Sequence, residues 1–561
     1  MQKACAKSWC KQSFEITDDD LAFYEKVSPV FGGKKQPIPP PRHCPECRQR
    51  HRLAFRNQTA LFPRTAFPHG EKIFSMYPQS APFPVMRSED WFSDQWDALD
   101  YGKEFSFQKP LMEQLFELHK IVPRYIAINN IRTENCEYCN NVSDVKNCYL
   151  TFTAYYSEDC MYGESMLKSK DCVESTMATA CELCYDCINC TRCTLVQSSF
   201  NSENCSDSFF LGNCRNCRDC FGCVNLRNKK YCLWNEQKTK EEYESFLRSF
   251  HGTSFSAREQ YRQAFINFER KHPRPNTIMH QSEDCTGNCI QESRNVKESY
   301  FIENGENLKY CFNLAGEQAN NCHDVSFFGR GVELVYESVG CGNNVSRLCF
   351  CYMCRSQSSD LFYCISCDAC KNCFGCVGLY RKEYCILNVQ YTKSEYEELV
   401  PKIIAHMRTT KEWGEFLPVA FNPMPHNRSI AHRFYPITEQ EAKNEGYAWY
   451  EEDIRDFPDI IEASALPDGL PVTDAPITVK SLFSGRPFRI TAQEIGKYRE
   501  FNVPLPRQSY EERMNERAQK LGGLRLFERS CAKTGKAILT PYPPDSPYII
   551  WDREEYEKEF Q

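Results

Sequence analysis

The stretch CELCYDCINCTRC, residues 181–193, places five cysteines three residues apart. The phase is not local. Cys136, Cys139, Cys148, Cys160, Cys172, Cys181, Cys184, Cys187, Cys190, Cys193, Cys205, Cys214, Cys217, Cys220, Cys223 and Cys232 are all congruent modulo three. Independent placement would do this about once in ten million trials, so a period of three is present. Most other positions of the phase are small, among them Thr151, Ala154, Ser157, Gly163, Ser169 and Ala178. A second period sits on the first, because Cys136, Cys148, Cys160, Cys172 and Cys184 recur every twelve residues. The pattern predicts a chain that coils once per twelve residues, with four short sides. One side chain per side points into a narrow lumen that tolerates small residues. That is a β-solenoid, whose stacked rungs complete each other's backbone hydrogen bonds. Residues 136–232 supply about eight coils, roughly 38 Å at about 4.8 Å per strand. Asn or Asp precedes many inward thiols, as at Asn135, Asn147, Asp159, Asp171, Asn189, Asn204, Asn216 and Asp219. These residues tolerate the left-handed conformation that tight corners need.

An iron–sulfur reading of Cys214, Cys217, Cys220 and Cys223 competes with packing, since C-x2-C-x2-C is ferredoxin-like. Packing explains the whole phased segment, whereas a cluster would explain four thiols. The narrow coil resembles the insect antifreeze β-helices, which also turn cysteine and small residues inward at every third position. No regular Thr-x-Thr ladder follows here, so ice binding is not implied.

The solenoid occurs twice. Residues 205–244, CSDSFFLGNCRNCRDCFGCVNLRNKKYCLWNEQKTKEEYE, match 358–397, SSDLFYCISCDACKNCFGCVGLYRKEYCILNVQYTKSEYE, at an offset of 153. Upstream the offset is 151, pairing Cys160 with Cys311 and Cys190 with Cys341, so two residues enter between Cys341 and Cys364. The thiol phase also breaks near Cys289, Cys322 and Cys349, which predicts irregular coils. Each copy ends in a capping box, Thr239 with Glu242 and Thr392 with Glu395, so a helix should close each solenoid. One position after the main thiol column runs an outward apolar stripe. It comprises Tyr149, Met161, Val173, Tyr185, Phe209 and Phe221, then Tyr300, Phe312, Tyr336, Phe362 and Phe374 in the second copy. Such a stripe is either buried against closing helices or the sister solenoid, or it is a ladder for a ligand, a partner or a homo-oligomer.

The N-terminal segment carries metal chemistry. Cys5-x4-Cys10 and Cys44-x2-Cys47 are two knuckles whose four thiolates suit tetrahedral Zn²⁺ and would fold a segment too small for its own core. The alternative is two unrelated thiol pairs. Arg48, Arg50, Arg52 and Arg56 follow the second knuckle beside Phe55 and form either a phosphate-gripping face for RNA or a solvated basic one. The segment CKQSFEITDDDLAFYEKVSPVFGGKKQPIPPPRHCPECRQRHRLAFRN resembles the trcl-type zinc-ribbon family, large cysteine-rich repeat proteins of candidate-phylum bacteria. WFSDQWDALDYG, CFGCVNLRNKKYC, WGEFLP and SGRPFRITAQEIGKYREFNVPLPR extend the resemblance over essentially the whole chain. Some members carry a CaiB/BaiF label, which would imply a CoA-transferase, but no motif here supports that chemistry. The resemblance implies architecture more than activity.

The C-terminus repeats the N-terminus. SGRPFRITAQEIGKYREFNVPLPRQSYEER aligns with the ribbon and places Ser484 at Cys10, Ser509 at Cys44 and Glu512 at Cys47. The second ribbon has lost its ligands and should hold its shape by apolar packing. The following residues, with Cys531 isolated, parallel the stretch after the first ribbon. The expected organisation is mainly β. It runs as a ribbon with a basic tail at 1–72, a hairpin and amphipathic helix at 73–134, and the first solenoid with its capping helix at 135–248. A connector at 249–284 leads to the second solenoid with its capping helix at 285–400. A Pro-rich and helical connector at 401–477 and a degenerate ribbon-like module at 478–561 complete the chain.

Composition narrows the function. The 561 residues are 41% hydrophobic and 25% charged, an ordinary globular balance. No apolar stretch follows Met1 and none is long enough to span a bilayer, so a cytoplasmic protein with reduced thiols is expected. The net charge of −7 limits any nucleic-acid contact to a local patch. No nucleophile elbow, P-loop or dinucleotide fingerprint occurs. His69, His119, His280 and His432 lack a nearby nucleophile in sequence and read as surface or packed residues. The leading expectation is a non-catalytic zinc-binding scaffold for a protein or RNA partner, the ribosome included. A thiol-rich redox or metal-handling protein and an enzyme with a site between the solenoids are the alternatives.

Overall fold

In the computed structural model, residues 1–128, 130–314, 318–326, 331–451, 457 and 459–560 are described. The chain forms two compact units, each assembled from distant segments. One contains Met1–Ile128 with Thr277–Tyr450, the other Asn129–Asn276 with Glu451–Gln561. The first solenoid therefore packs with the C-terminal modules, and the second solenoid with the N-terminal ones. The pairing follows from the apolar stripes described below.

The first solenoid has the expected parallel register. Phe152 pairs with Glu164, Glu164 with Thr176 and Thr176 with Ile188, each step twelve residues. Regular coils begin earlier than the thiols, at the strand Asn130–Glu134. The residue before each inward position is left-handed, with φ of +51° at Asn147, +53° at Asp159 and +47° at Asp171. Leu150, Leu183 and Phe210 take the same conformation, so the corner is imposed by the coil as well as by residue preference. A left-handed L-residue costs roughly 1–2 kcal/mol. Inter-coil hydrogen bonding offsets it: Tyr149 N–H donates upward to the Cys160 carbonyl and Leu150 N–H downward to that of Glu137.

The lumen explains the thiols. Backbone carbonyls of the coils lie within reach of the inward side chains, so a small side chain with a polar hydrogen can pair with them. The Cys184 thiol lies 3.4 Å from the carbonyls of Glu182 and Cys193. Ser169 Oγ donates to the Leu167 and Ala178 carbonyls and accepts from Cys181 N–H. Cys, Ser and Thr are interchangeable here for that reason. The lumen is not confined to small residues, a correction to the sequence expectation. Val142, Val196, Leu211 and Met166 are also fully buried in it. Met166 fits because Gly163 is adjacent, where a Cβ would stand 2.9 Å from the Met166 side chain.

Cys184 has no such relief. It lies among Cys172, Cys181 and Cys187. Cys184→Leu is expected to overpack the lumen and lose the carbonyl contacts, costing roughly 1–3 kcal/mol, whereas Cys184→Ser should cost less. Chemical denaturation of the two variants checks the order. Equal destabilisation would contradict a size-limited site.

The second solenoid is irregular where its thiol phase breaks. Met279 pairs with Ile290, eleven residues on, and Gly305 with Ala319, fourteen on. Ser346 pairs with Ser359 at thirteen, before Ser359 to Lys371 and Lys371 to Glu383 restore twelve. The two residues inserted between Cys341 and Cys364 are thus one extra in each of two successive coils. Both solenoids end as expected. Thr239 and Thr392 form capping boxes with Glu242 and Glu395 and start the helices Lys240–Ser249 and Lys393–Thr409.

The outward stripes are the seats on which each unit is built. Met161 and Val173, with Tyr149 and Tyr185 beside them, pack into one core with Ile490, Ile495, Tyr498 and Phe501 of the C-terminal module. Phe209 and Phe221 lie beneath Phe246, Phe250 and Tyr261 of two helices. In the other unit Tyr336 meets Tyr24, Phe362 meets Phe31, Phe374 stacks on Trp413 and Phe312 meets Phe434. Tyr300 is buried as well. Most of the stripe is buried inside the units, with Tyr149, Tyr185 and Phe209 half-buried at its edges. The cover is chiefly the ribbon modules, a third possibility beside closing helices and sister solenoid. Among the described residues no helix is long and apolar enough to cross a membrane.

Candidate metal centre and its metal-free copies

Two short strands, Gln2–Ala4 and Ser13–Glu15, hold the first knuckle as an antiparallel hairpin. Ala6 N–H donates to the Arg42 carbonyl and ties this knuckle to the segment before the second. Cys44 is the N-cap of the helix Pro45–Ala54, and Cys47 is its third residue. Their spacing thus turns both sulfurs toward the hairpin, at the end of a helix whose dipole favours thiolate. Cys5, Cys10, Cys44 and Cys47 have sulfurs within 4.8 Å of one another and could hold a metal ion. Among the described residues they are the one set of cysteine, histidine or acidic side chains so placed. The Cys44 thiol is pushed down to about 6, chiefly by its hydrogen bond with Cys47 and against the effect of burial.

Among the described residues the same backbone device occurs four times. In each copy a hairpin knuckle is tied by one N–H to the carbonyl two residues before a helix cap. Ala6 to Arg42 is the first, Phe67 to Val85 the second, Leu482 to Arg507 the third and Ala532 to Ile550 the fourth. Each unit holds two. The three copies without four cysteines carry other polar contacts where the first has its thiols. In the third, Glu512 accepts from Ser481 Oγ at 2.6 Å and from Ser509 N–H at 2.7 Å. Ser484 also bonds to it. This polar cluster stands beside the apolar packing expected of that copy. In the second, Asp90 meets His69 at 3.2 Å and Arg87 at 3.4 Å. In the fourth, Asp552 N–H donates to Cys531 Sγ at 3.1 Å, as Cys44 N–H does to Cys5 Sγ at 3.4 Å. Cys531 thus stands in its knuckle where Cys5 stands in the first.

The four arginines after the knuckle turn inward, which corrects the basic face expected from the sequence. Arg48 grips the buried Asp324 carboxylate at 2.9 and 3.1 Å, and Arg52 Nη1 lies 3.0 Å from it. Arg50 pairs with Glu445 at 2.7 Å and stacks over Trp9, and Arg56 is buried. Asp324 occupies a left-handed solenoid corner at φ +64°. The other unit repeats the clamp. Arg513 Nε donates to Glu174 at 2.8 Å, Arg517 lies 2.7 Å from it, and Tyr498 Oη adds a contact at 3.1 Å. Glu174 is likewise a corner, at φ +56°. Arg48 and Arg52 stand four and eight residues after Cys44, as Arg513 and Arg517 do after Ser509.

Composition and pattern missed this clamp, yet an internal signal for it exists. Only Arg48 and Arg52 recur in the ligand-less copy, whereas Asn515 and Leu521 stand where Arg50 and Arg56 would be. His119 is buried and bonded to Arg124, one of the packed histidines expected. No family model matches the chain, and a search of curated proteins finds no match.

Proposed function

We propose that the protein is a non-catalytic scaffold in which one structural Zn²⁺ clips the first module, and in which the solenoid faces left open receive a protein partner. The observation carrying this reading is the donor set. Four thiols fill a tetrahedron, whereas catalytic zinc keeps one position for water or substrate. Zn–S bonds of about 2.3 Å give a tetrahedral edge of roughly 3.8 Å. Cys10 and Cys44 stand 3.8 Å apart. Three copies that replace the set with polar contacts keep the same backbone, as expected if the metal's task is shape. The set is also what the zinc-ribbon resemblance implies.

A protein partner fits better than RNA. Arg48, Arg50 and Arg52 spend their charge on Asp324 and Glu445. The open solenoid face alternates its charges, with Lys146 beside Glu134 and Lys170 beside Glu158, and Asn135, Asn147 and Asp159 form a hydrogen-bonded ladder. Such a face carries little net potential for phosphates. Thiol redox chemistry is disfavoured because the lumen sulfurs are buried against carbonyls.

Copurification after amine crosslinking in cells tests the proposal. One protein partner, linked through Lys146 or Lys170 and retained after nuclease treatment, is expected. Recovery that disappears with nuclease would replace the protein partner with nucleic acid, and turnover of a small substrate by the purified chain would end the scaffold reading.

A further inference from the structure

Beside the thiol set lies a cavity of about 370 Å³, walled by the first knuckle, the helix Pro45–Ala54, the second solenoid and residues 411–419. That last segment contains the WGEFLP motif, which the scaffold reading leaves without a role. The loop is firmly built. Trp413 Nε1 donates to the Pro37 carbonyl, Gly414 N–H to Tyr363 Oη, and the Leu417 carbonyl bonds to His51. Gly414 sits at φ +88°, where a Cβ would strike Pro39 at 2.5 Å. Only glycine lets the loop close against the ribbon.

Most charges on the cavity wall are already matched. Arg42 holds Glu415 at 2.6 Å, Arg48 is bound to Asp324, and Glu412 accepts from the N–H groups of Leu111 and Met112. His51 is committed to Tyr447 and Leu417. Lys7 and Lys411 line the cavity with no carboxylate within ion-pair distance among the described residues. Lys411 follows the helix Lys393–Thr409 at φ +62°, a position where glycine is usual. His43 Nδ1 is buried without a hydrogen-bond partner. Glu337 faces the same space 3.6 Å from Arg48. Met112, Phe416 and Val419 supply an apolar wall.

We infer that this cavity binds a small organic anion, a carboxylate or phosphate on an apolar body, between Lys7, Lys411 and His43. Two ammonium groups call for an acceptor-rich head, which His43 joins as a donor in its Nδ1–H tautomer, and the apolar wall calls for a body. The volume is that of a small-molecule site. Glu337 opposes the anion when ionised, and burial pushes its carboxyl up to about 7, which lessens that opposition near neutrality.

Calorimetric titration of the full metal-loaded chain with phenyl phosphate, benzoate and phenol tests the inference. At least one of the two anions should bind, and their ratio tells phosphate from carboxylate chemistry, while phenol should not bind. Lys7→Ala with Lys411→Ala should weaken the anion by at least about tenfold, the scale of lost charge-assisted hydrogen bonds. Glu337→Gln should tighten it. Both lysines lie partly or fully exposed, so the double variant should keep its metal and its fold. Binding of neither anion, equal binding of phenol, or affinity unchanged in the lysine double variant would overturn the site.

Discussion

Glu174→Ala is expected to destabilise its unit by about 3–5 kcal/mol, because it leaves two buried guanidiniums without a counter-ion. Glu174 is 1% exposed and takes Arg513, Arg517 and Tyr498 onto one carboxylate. The loss is the cost of stranded charge rather than the net worth of the clamp. Replacing Glu174, Arg513 and Arg517 together by Leu, Met and Leu should therefore recover most of it. Burial alone would raise the Glu174 carboxyl, but the two arginines outweigh it and the net shift is downward from 4.5. The clamp then contributes fully above that value, and its contribution fades as pH falls through the lower folded value. Urea unfolding, followed by amide exchange in the coils around residue 174, measures both effects. A single variant as stable as the parent at neutral pH would remove the clamp from the account.

The solenoid was legible because its constraint is periodic. Most inward positions hold a small side chain that can meet lumen carbonyls, and cysteine writes that preference into the sequence every third residue. Two features were hidden by substitution. Leu150 and Phe210 hold left-handed corners that Asn or Asp would have advertised, and Met166 enters the lumen only because Gly163 leaves room. Among the knuckles, the four-thiol set was legible in Cys5, Cys10, Cys44 and Cys47, but its kinship with the second and fourth knuckles was not. Ala66, His69, Arg87 and Asp90 share no chemistry with four thiols. What all four knuckles share is the N–H tie to the carbonyl two residues before a helix cap, and the second, third and fourth add Gly70, Gly485 and Gly535, which turn back at positive φ onto the first knuckle residue, four positions earlier. The arginines misled for a related reason. A basic run says nothing about where its counter-ions are, and Asp324 lies more than two hundred and seventy residues away in sequence. Similarly, the stripe's cover came from modules distant in the chain.

Cys44→Ser with Cys47→Ser should abolish the proposed zinc binding and unfold the first module, while the third module, residues 477–520, stays folded. The asymmetry follows from what each knuckle offers its core. In the first, the thiols meet across gaps such as the 3.8 Å between Cys10 and Cys44, with few polar contacts to replace a metal. In the third, Glu512 already closes the same gap with Ser481, Ser484 and Ser509. Structural zinc contributes about 10–16 kcal/mol of binding free energy in zinc-finger peptides, where it drives folding, so a loss on that scale cannot be absorbed locally. Chelation should act as the double variant does. Metal analysis gives the first readout, and amide exchange in Gln2–Glu15 against Ile477–Ile490 gives the second. A second substitution set sharpens the test. Writing the third module's residues into the first, as Cys5→Ser, Cys10→Ser, Cys44→Ser and Cys47→Glu, should restore part of the exchange protection without restoring zinc. All four positions changed to Ser should not. Zinc content unchanged in the double variant would refute the metal centre. Rescue by the all-serine set would show that the knuckle needs neither a metal nor the carboxylate.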